Sequence, residues 1–91
     1  MNLIYPDKSF ELLIKTVKEK QPKSILEIGV NLGLSSIAML QSVPNAKLSG
    51  IEIDENRVRL IKSNYQEFGV QDRTHIFLGD ASEILPILTG K

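Results

Sequence analysis

Apolar and polar positions alternate between two periods along this chain. Between Asp7 and Lys20, the residues Phe10, Leu13, Ile14 and Val17 recur at i, i+3, i+4 and i+7, one face of a helix. Asp7, directly after Pro6, is placed to cap its first turn. Lys18 and Lys20 suit its negative C-terminal end, and Pro22 stops it. Ile25, Leu26 and Ile28 then form a short, nearly continuous apolar run, which predicts a strand buried on both faces of a parallel sheet. A second helical stretch runs from about Leu34 to Ser42 and ends at Pro44-Asn45. Leu48 to Ile53 reads as a second strand. Asp54 caps a third helix with Val58, Ile61, Tyr65 and Phe68 on its apolar face and Gly69 at its end. Thr74 to Leu78 reads as a third strand. Asp80 and Glu83 have capping-box-like D-x-x-E spacing before Ile84, Leu85 and Leu88, and Pro86 predicts a short or kinked last helix.

The order is helix, then β-α-β-α-β, then the start of a further helix. Strands that alternate with helices predict an α/β fold, a parallel sheet with right-handed crossovers, and thus half of a Rossmann-like, doubly wound architecture. The 91 residues make one domain, 1–91, with no room for the other half, so the expectation is a cut-down chain or a fragment. A chain of this size buries about 60–70% of its unfolded surface.

Composition narrows the function classes. Eleven basic and eleven acidic residues give no net charge, which excludes a strongly basic nucleic-acid module and an acidic tail. The 42% hydrophobic content argues against wholesale disorder. Without cysteine there is no disulfide, thiolate metal site or cysteine nucleophile. The opening MNLIYPDKSF lacks a basic region followed by an apolar stretch, and no apolar run approaches the roughly 18 residues of a membrane span. The expectation is a soluble, cytoplasmic chain with no membrane partner.

The chemistry-bearing segment is Ile25-Leu26-Glu27-Ile28-Gly29-Val30-Asn31-Leu32-Gly33-Leu34-Ser35, a buried strand running through a glycine turn into a helix. Glycine allows positive φ and close approach of a ligand, and the helix start offers free N–H groups to an anion. The plain alternative is a tight turn that needs glycine only for packing. Glu52 ends the second strand, 25 residues after Glu27. An acid at that point of a doubly wound fold accepts from ribose hydroxyls; its alternative is a solvated strand-end charge. Asp80, in Gly79-Asp80-Ala81-Ser82 after the third strand, faces the same crevice and can accept from a base's exocyclic amine, cap the last helix, or do both.

On these residues the chain resembles the front half of a class I S-adenosylmethionine-dependent methyltransferase, and most of all the O-methyltransferases of the catechol and caffeoyl-CoA type. The likeness runs from about Tyr5 to Leu88. It is carried by LEIGxxxGxS at Leu26 to Ser35, GIEID at Gly50 to Asp54, and LGDA with the apolar run to Leu88. The resemblance implies that Glu27, Gly29 and Gly33 shape the loop round the methionine end of the cofactor and that Ser35 binds the methionine carboxylate. It implies Glu52 as the ribose-binding acid, Ile53 beside the adenine, and Asp80 and Ala81 along the adenine edge. Leu34 departs from the tyrosine that the family often has. S-adenosylmethionine or S-adenosylhomocysteine is the implied ligand, and the methyl acceptor a small-molecule or tRNA hydroxyl. A divalent metal such as magnesium is implied in the full-length parent only. The family's next strand ends in a metal- and acceptor-binding aspartate, so the 91-residue chain alone is expected to be inactive.

Two other readings stand beside this one. An NAD(P)-binding domain needs G-x-G-x-x-G, and Asn31 and Leu34 break that pattern; a phosphate loop lacks its Gly-Lys-Ser/Thr. A non-catalytic fragment serving only as an assembly unit is the second. His75 has no acid at metal-ligand spacing and reads as structural or solvated. Lys15, Lys18, Lys20 and Lys23 are interrupted by Glu11 and Glu19 and read as a solvated face, with RNA a minor partner at most. Tyr5, Phe10, Tyr65, Phe68 and Phe77 read as core or helix-face residues rather than a stacking platform. Without the family's fourth strand, one edge of the first strand is unpaired, which predicts a homodimer or larger assembly through that edge.

Overall fold

The computed structural model describes residues 8–90. Asp7, expected as a helix cap, and Tyr5, expected in the core or on a helix face, lie outside them. Helix α1 (Lys8–Lys20) precedes strand β1 (Ser24–Ile28), helix α2 (Leu34–Ser42), strand β2 (Lys47–Glu52) and helix α3 (Glu55–Glu67). A single 3₁₀ turn (Gln71–Arg73), absent from the sequence expectation, leads into β3 (Thr74–Leu78) and α4 (Ala81–Thr89). The capping aspartates do what their positions predict. Asp54 Oδ1 accepts from the N–H groups of Asn56 and Arg57 at 2.8 and 3.2 Å, and Asp80 Oδ1 accepts from that of Ser82 at 2.8 Å. Pro86 sits inside α4, which stays short and closes at Gly90.

All three strands are parallel in the order β1-β2-β3, a Rossmann-like half-fold. Ile25 pairs with Leu48 and Leu48 with Thr74; Glu27 pairs with Gly50 and Gly50 with Ile76. Side chains alternate across a strand, so these rows share one face. Ile25, Leu48 and Ile76 there pack with Ile37, Leu40, Ile61 and Tyr65 of α2 and α3 into one core. Helix α1 lies against α2 and adds Val17.

The opposite face departs from expectation. β1 is not buried on both sides: Ile25 and Glu27 are half-buried, but Leu26 is 45% and Ile28 55% exposed. The physical reason is cover. Two helices and α1 close the first face, whereas the other has only the end of α4, where Leu88 and Thr89 border a groove with Leu26 and Ser49. Phe68 is likewise 49% exposed rather than on the buried stripe, because α3 ends at Glu67 and Phe68 is its C-cap.

Arg73, in the 3₁₀ turn, ties down the far end of α2. Its guanidinium donates to the carbonyls of Leu40, Val43 and Ala46 at 2.9, 3.1 and 3.0 Å. The Leu40 carbonyl is an orphan acceptor of the kind every helix end leaves, the Val43 carbonyl also accepts from the Ala46 N–H at 3.0 Å, and the forked donors of the guanidinium reach all three.

Candidate cofactor site

Parallel strands direct all their carboxyl ends to one edge of the sheet, and the turns that follow them build a cleft there. Its volume is about 220 Å³, and it is lined by Ile28, Gly29, Ile51, Glu52, Ile53, Gly79, Asp80 and Ala81. β1 and β2 supply their ends and the residue just beyond, and the turn after β3 supplies the rest. Five of the eight residues singled out from the sequence therefore meet here: Gly29, Glu52, Ile53, Asp80 and Ala81. Ser35, half-buried in the first turn of α2, and Glu27 and Gly33 are outside the lining.

The turn from β1 to α2 has positive φ at Gly29 (72°), Asn31 (60°) and Gly33 (84°). Its two glycines differ in purpose. A Cβ on Gly33 would stand 2.8 Å from Cε1 of Tyr65, so this glycine lets α3 pack under the helix start. A Cβ on Gly29 would meet nothing within 4 Å, so the space over this glycine is open at the cleft. Asn64 Nδ2 adds a donor to the carbonyl of Leu32 at 2.9 Å.

Glu52 is only 3% exposed, so it is not a solvated strand-end charge. Oε1 accepts from the Asn31 N–H at 2.9 Å and Oε2 from the Asp54 N–H at 3.1 Å, with the Arg57 guanidinium 4.0 Å away. A buried carboxylate needs such donors to stay charged. Four lone-pair positions serve a carboxylate, so two N–H donors leave acceptor capacity for a diol.

Asp80 fills the first of its two expected roles, capping α4, and stands at the cleft where the second would be exercised. The N–H and hydroxyl of Ser82 both donate to Oδ1 at 2.8 Å, and these bonds hold its pKa below the usual aspartate range. It is exposed while lining the cleft. Ile53 and Ala81 supply apolar wall.

Glu27 lies under the turn instead. It accepts a short hydrogen bond from the Ser36 hydroxyl, and burial pushes its pKa above the ordinary 4.5, partly offset by that bond. Ser36, wholly buried, is the residue that sequence reasoning missed. A signal was available: Ser36, Leu40 and Val43 fall at i, i+4 and i+7, the stripe of α2 and its cap that faces the core.

The arrangement is built for binding. Among the described residues no three His, Cys, Asp or Glu side chains gather as a metal site. His75 is exposed, its ring 4.3 Å from that of Phe77. Among the described residues no helix is long and apolar enough to cross a membrane.

A parallel sheet, a glycine turn leading into a helix and a buried acid at the next strand end define a Rossmann-like nucleotide-cofactor half-fold. The profile of the O-methyltransferase family matches residues 4–91. The chain belongs to that family. It is 28% identical over 86 residues to bovine catechol O-methyltransferase, covering 93% of this chain and 32% of that protein. To the O-methyltransferase imqG of Aspergillus flavus it is 35% identical over 69 residues, 76% of this chain and 28% of that one. The chain thus spans about a third of the length of these relatives. The crystal structure of the O-methyltransferase TomG from Streptomyces achromogenes, in complex with S-adenosylmethionine, superposes with a TM-score of 0.81 at 32% identity, over 88% of this chain and 36% of TomG. The S-adenosylhomocysteine-bound methyltransferase PaMTH1 of Podospora anserina gives 0.80 at 26% identity, over 87% of this chain and 35% of that one.

Proposed function

We propose that this chain binds S-adenosylmethionine and its product S-adenosylhomocysteine, as the cofactor-binding part of an enzyme that methylates a hydroxyl group. The observation that carries this reading is Glu52, buried and braced with acceptor capacity to spare, next to the open space over Gly29. In the reading, Glu52 takes the ribose hydroxyls and Ile53 and Ala81 flank the adenine, with Asp80 accepting from its amine. Gly29 leaves room for the methionine end, whose carboxylate meets the start of α2 at Ser35. Support comes from the ligands of TomG and PaMTH1 and from the cleft that five of these residues share.

The cofactor supplies an electrophilic methyl on a sulfonium, open to attack by an acceptor oxygen. This chain's contribution is orientation, which converts an encounter into a near-attack geometry. The magnesium ion that the family resemblance implies has no ligand among the residues assigned here, and belongs to the acceptor side.

Isothermal titration with S-adenosylmethionine, S-adenosylhomocysteine and NAD tests the reading. The first two bind and NAD does not. Glu52→Ala weakens binding by about 1.5–3 kcal/mol, the range for hydrogen bonds to a charged group. Unaltered affinity in that variant overturns the assignment.

We also infer that the 91-residue polypeptide associates with a second copy. The outer edge of β1 pairs with no strand among the described residues, and Leu26 and Ile28 stand exposed beside it. Such an edge is a template for another strand, and two-fold symmetry makes the pairing antiparallel. Sedimentation at micromolar concentration gives a dimer or larger species; a stable folded monomer overturns this.

A further inference from the structure

Beneath the glycine turn lies a polar cluster that the cofactor contacts leave unused. Three elements meet in it: Glu27 from β1, Ser36 from α2 and Tyr65 from α3. Tyr65 is 1% exposed, and its hydroxyl has no hydrogen-bond partner. A buried hydroxyl without a partner is rare in native proteins and calls for an explanation. The phenol is not remote from polar groups. Burial raises its pKa; the neighbouring Ser36 hydroxyl opposes that rise and the charge of Glu27 adds to it, yet no hydrogen bond closes in this conformation.

Donor chemistry dictates how the cluster can close. An ionised Glu27 donates nothing, and the single hydrogen of Ser36 already goes to Glu27 Oε1. The oxygen of Ser36 keeps lone pairs, so a chain can run from the Tyr65 hydroxyl to Ser36 and from Ser36 to Glu27. Each bond in such a chain polarises the next. Tyr65 also touches the turn itself, because its ring fills the space where Gly33 has no side chain. One residue therefore supports the turn's last glycine with its ring and faces the polar cluster with its hydroxyl.

We propose that Tyr65 is a positioning residue for the cofactor loop, its hydroxyl completing a Tyr65–Ser36–Glu27 hydrogen-bond chain that holds Glu27 and the Gly29–Gly33 turn in the form that receives the cofactor. The proposal rests on the S-adenosylmethionine reading, and its test separates the two.

The test combines S-adenosylhomocysteine titration calorimetry with carbon-detected NMR titration of the Glu27 carboxyl in the unaltered chain, Tyr65→Phe and Ser36→Ala. Tyr65→Phe keeps the ring against Gly33 and removes only the hydroxyl. The expected result is an affinity about tenfold lower in Tyr65→Phe and a Glu27 carboxyl that titrates at higher pH than in the unaltered chain. Ser36→Ala gives the same two changes, and the double variant is no worse than Ser36→Ala alone, because both act through one chain. If Tyr65→Phe binds like the unaltered chain, melts at higher temperature and leaves the Glu27 titration in place, the hydroxyl is a plain orphan and the proposal is overturned. A moved titration with unaltered affinity also overturns the positioning role. Failure of the unaltered chain to bind S-adenosylhomocysteine overturns the cofactor reading, and the Glu27 titration still decides whether the chain of hydrogen bonds exists.

Discussion

The two ends of the five-residue turn between β1 and α2 are held in opposite ways. At the cleft end, Gly29 lies under open space, and Asn31 is fixed by its N–H to a carboxylate that also takes the Asp54 N–H. At the buried end, Gly33 is pressed against a tyrosine ring, and Glu27 accepts from the hydroxyl of Ser36 in the helix that follows. Both ends use glycine and both lie near a strand-borne glutamate. The difference is that Glu52 is met by backbone donors and a guanidinium, whereas burial works against the charge of Glu27. A motif's glycines and acids can thus divide into those that leave room for a ligand and those that support the loop from below.

Three substitutions test that division. The largest effect on the fold is expected from Gly33→Ala, which combines left-handed strain with overpacking on Tyr65. A loss of roughly 2–4 kcal/mol in denaturant melts follows from the two mechanisms. Gly29→Ala carries only the conformational cost, about 1–2 kcal/mol. Its main effect is on binding: titration of S-adenosylhomocysteine is impaired well beyond the change in stability, because the methyl group enters the cleft. Equal stability losses at the two glycines would erase the distinction.

Glu27→Gln has the smallest effect, and its size depends on pH. Glu27 has a folded pKa above its ordinary value of 4.5. Its contribution to stability is therefore fully present below that ordinary value and lost as pH rises through the raised one. Glutamine keeps an acceptor for Ser36 and does not ionise. The variant should be the more stable protein at neutral pH, with its advantage shrinking as pH falls towards 4.5. Thermal melts of both proteins across that range check it, and a constant difference contradicts it.

Much of this was legible in the residues. The switch between helical and strand periods placed every element but one, and the helix-capping roles of Asp54 and Asp80 follow from aspartates standing just before apolar stripes. The 3₁₀ turn at Gln71–Arg73 is too short to leave a period. The run Ile25, Leu26, Ile28 looks the same whether one face of β1 is covered or both, since cover is a property of what packs above it. Glu52 was identifiable by its place at the end of the second strand, but not its burial or its bond from the Asn31 N–H, which depend on how the turn folds. The hydrogen bond from Ser36 to Glu27 joins residues nine positions apart, and only the helix phase of Ser36 hinted at it.

The grip of Arg73 on three carbonyls has a consequence for how the domain opens. Local unfolding proceeds through cooperative units, and a cross-tie between elements distant in sequence makes them one unit. The C-terminal turn of α2, the entry to β2 and the 3₁₀ turn must exchange their amide protons together, since none can detach without releasing the same guanidinium. With α2 anchored at that end, the freedom left to it is concentrated at the other, in the glycine turn beside the cleft.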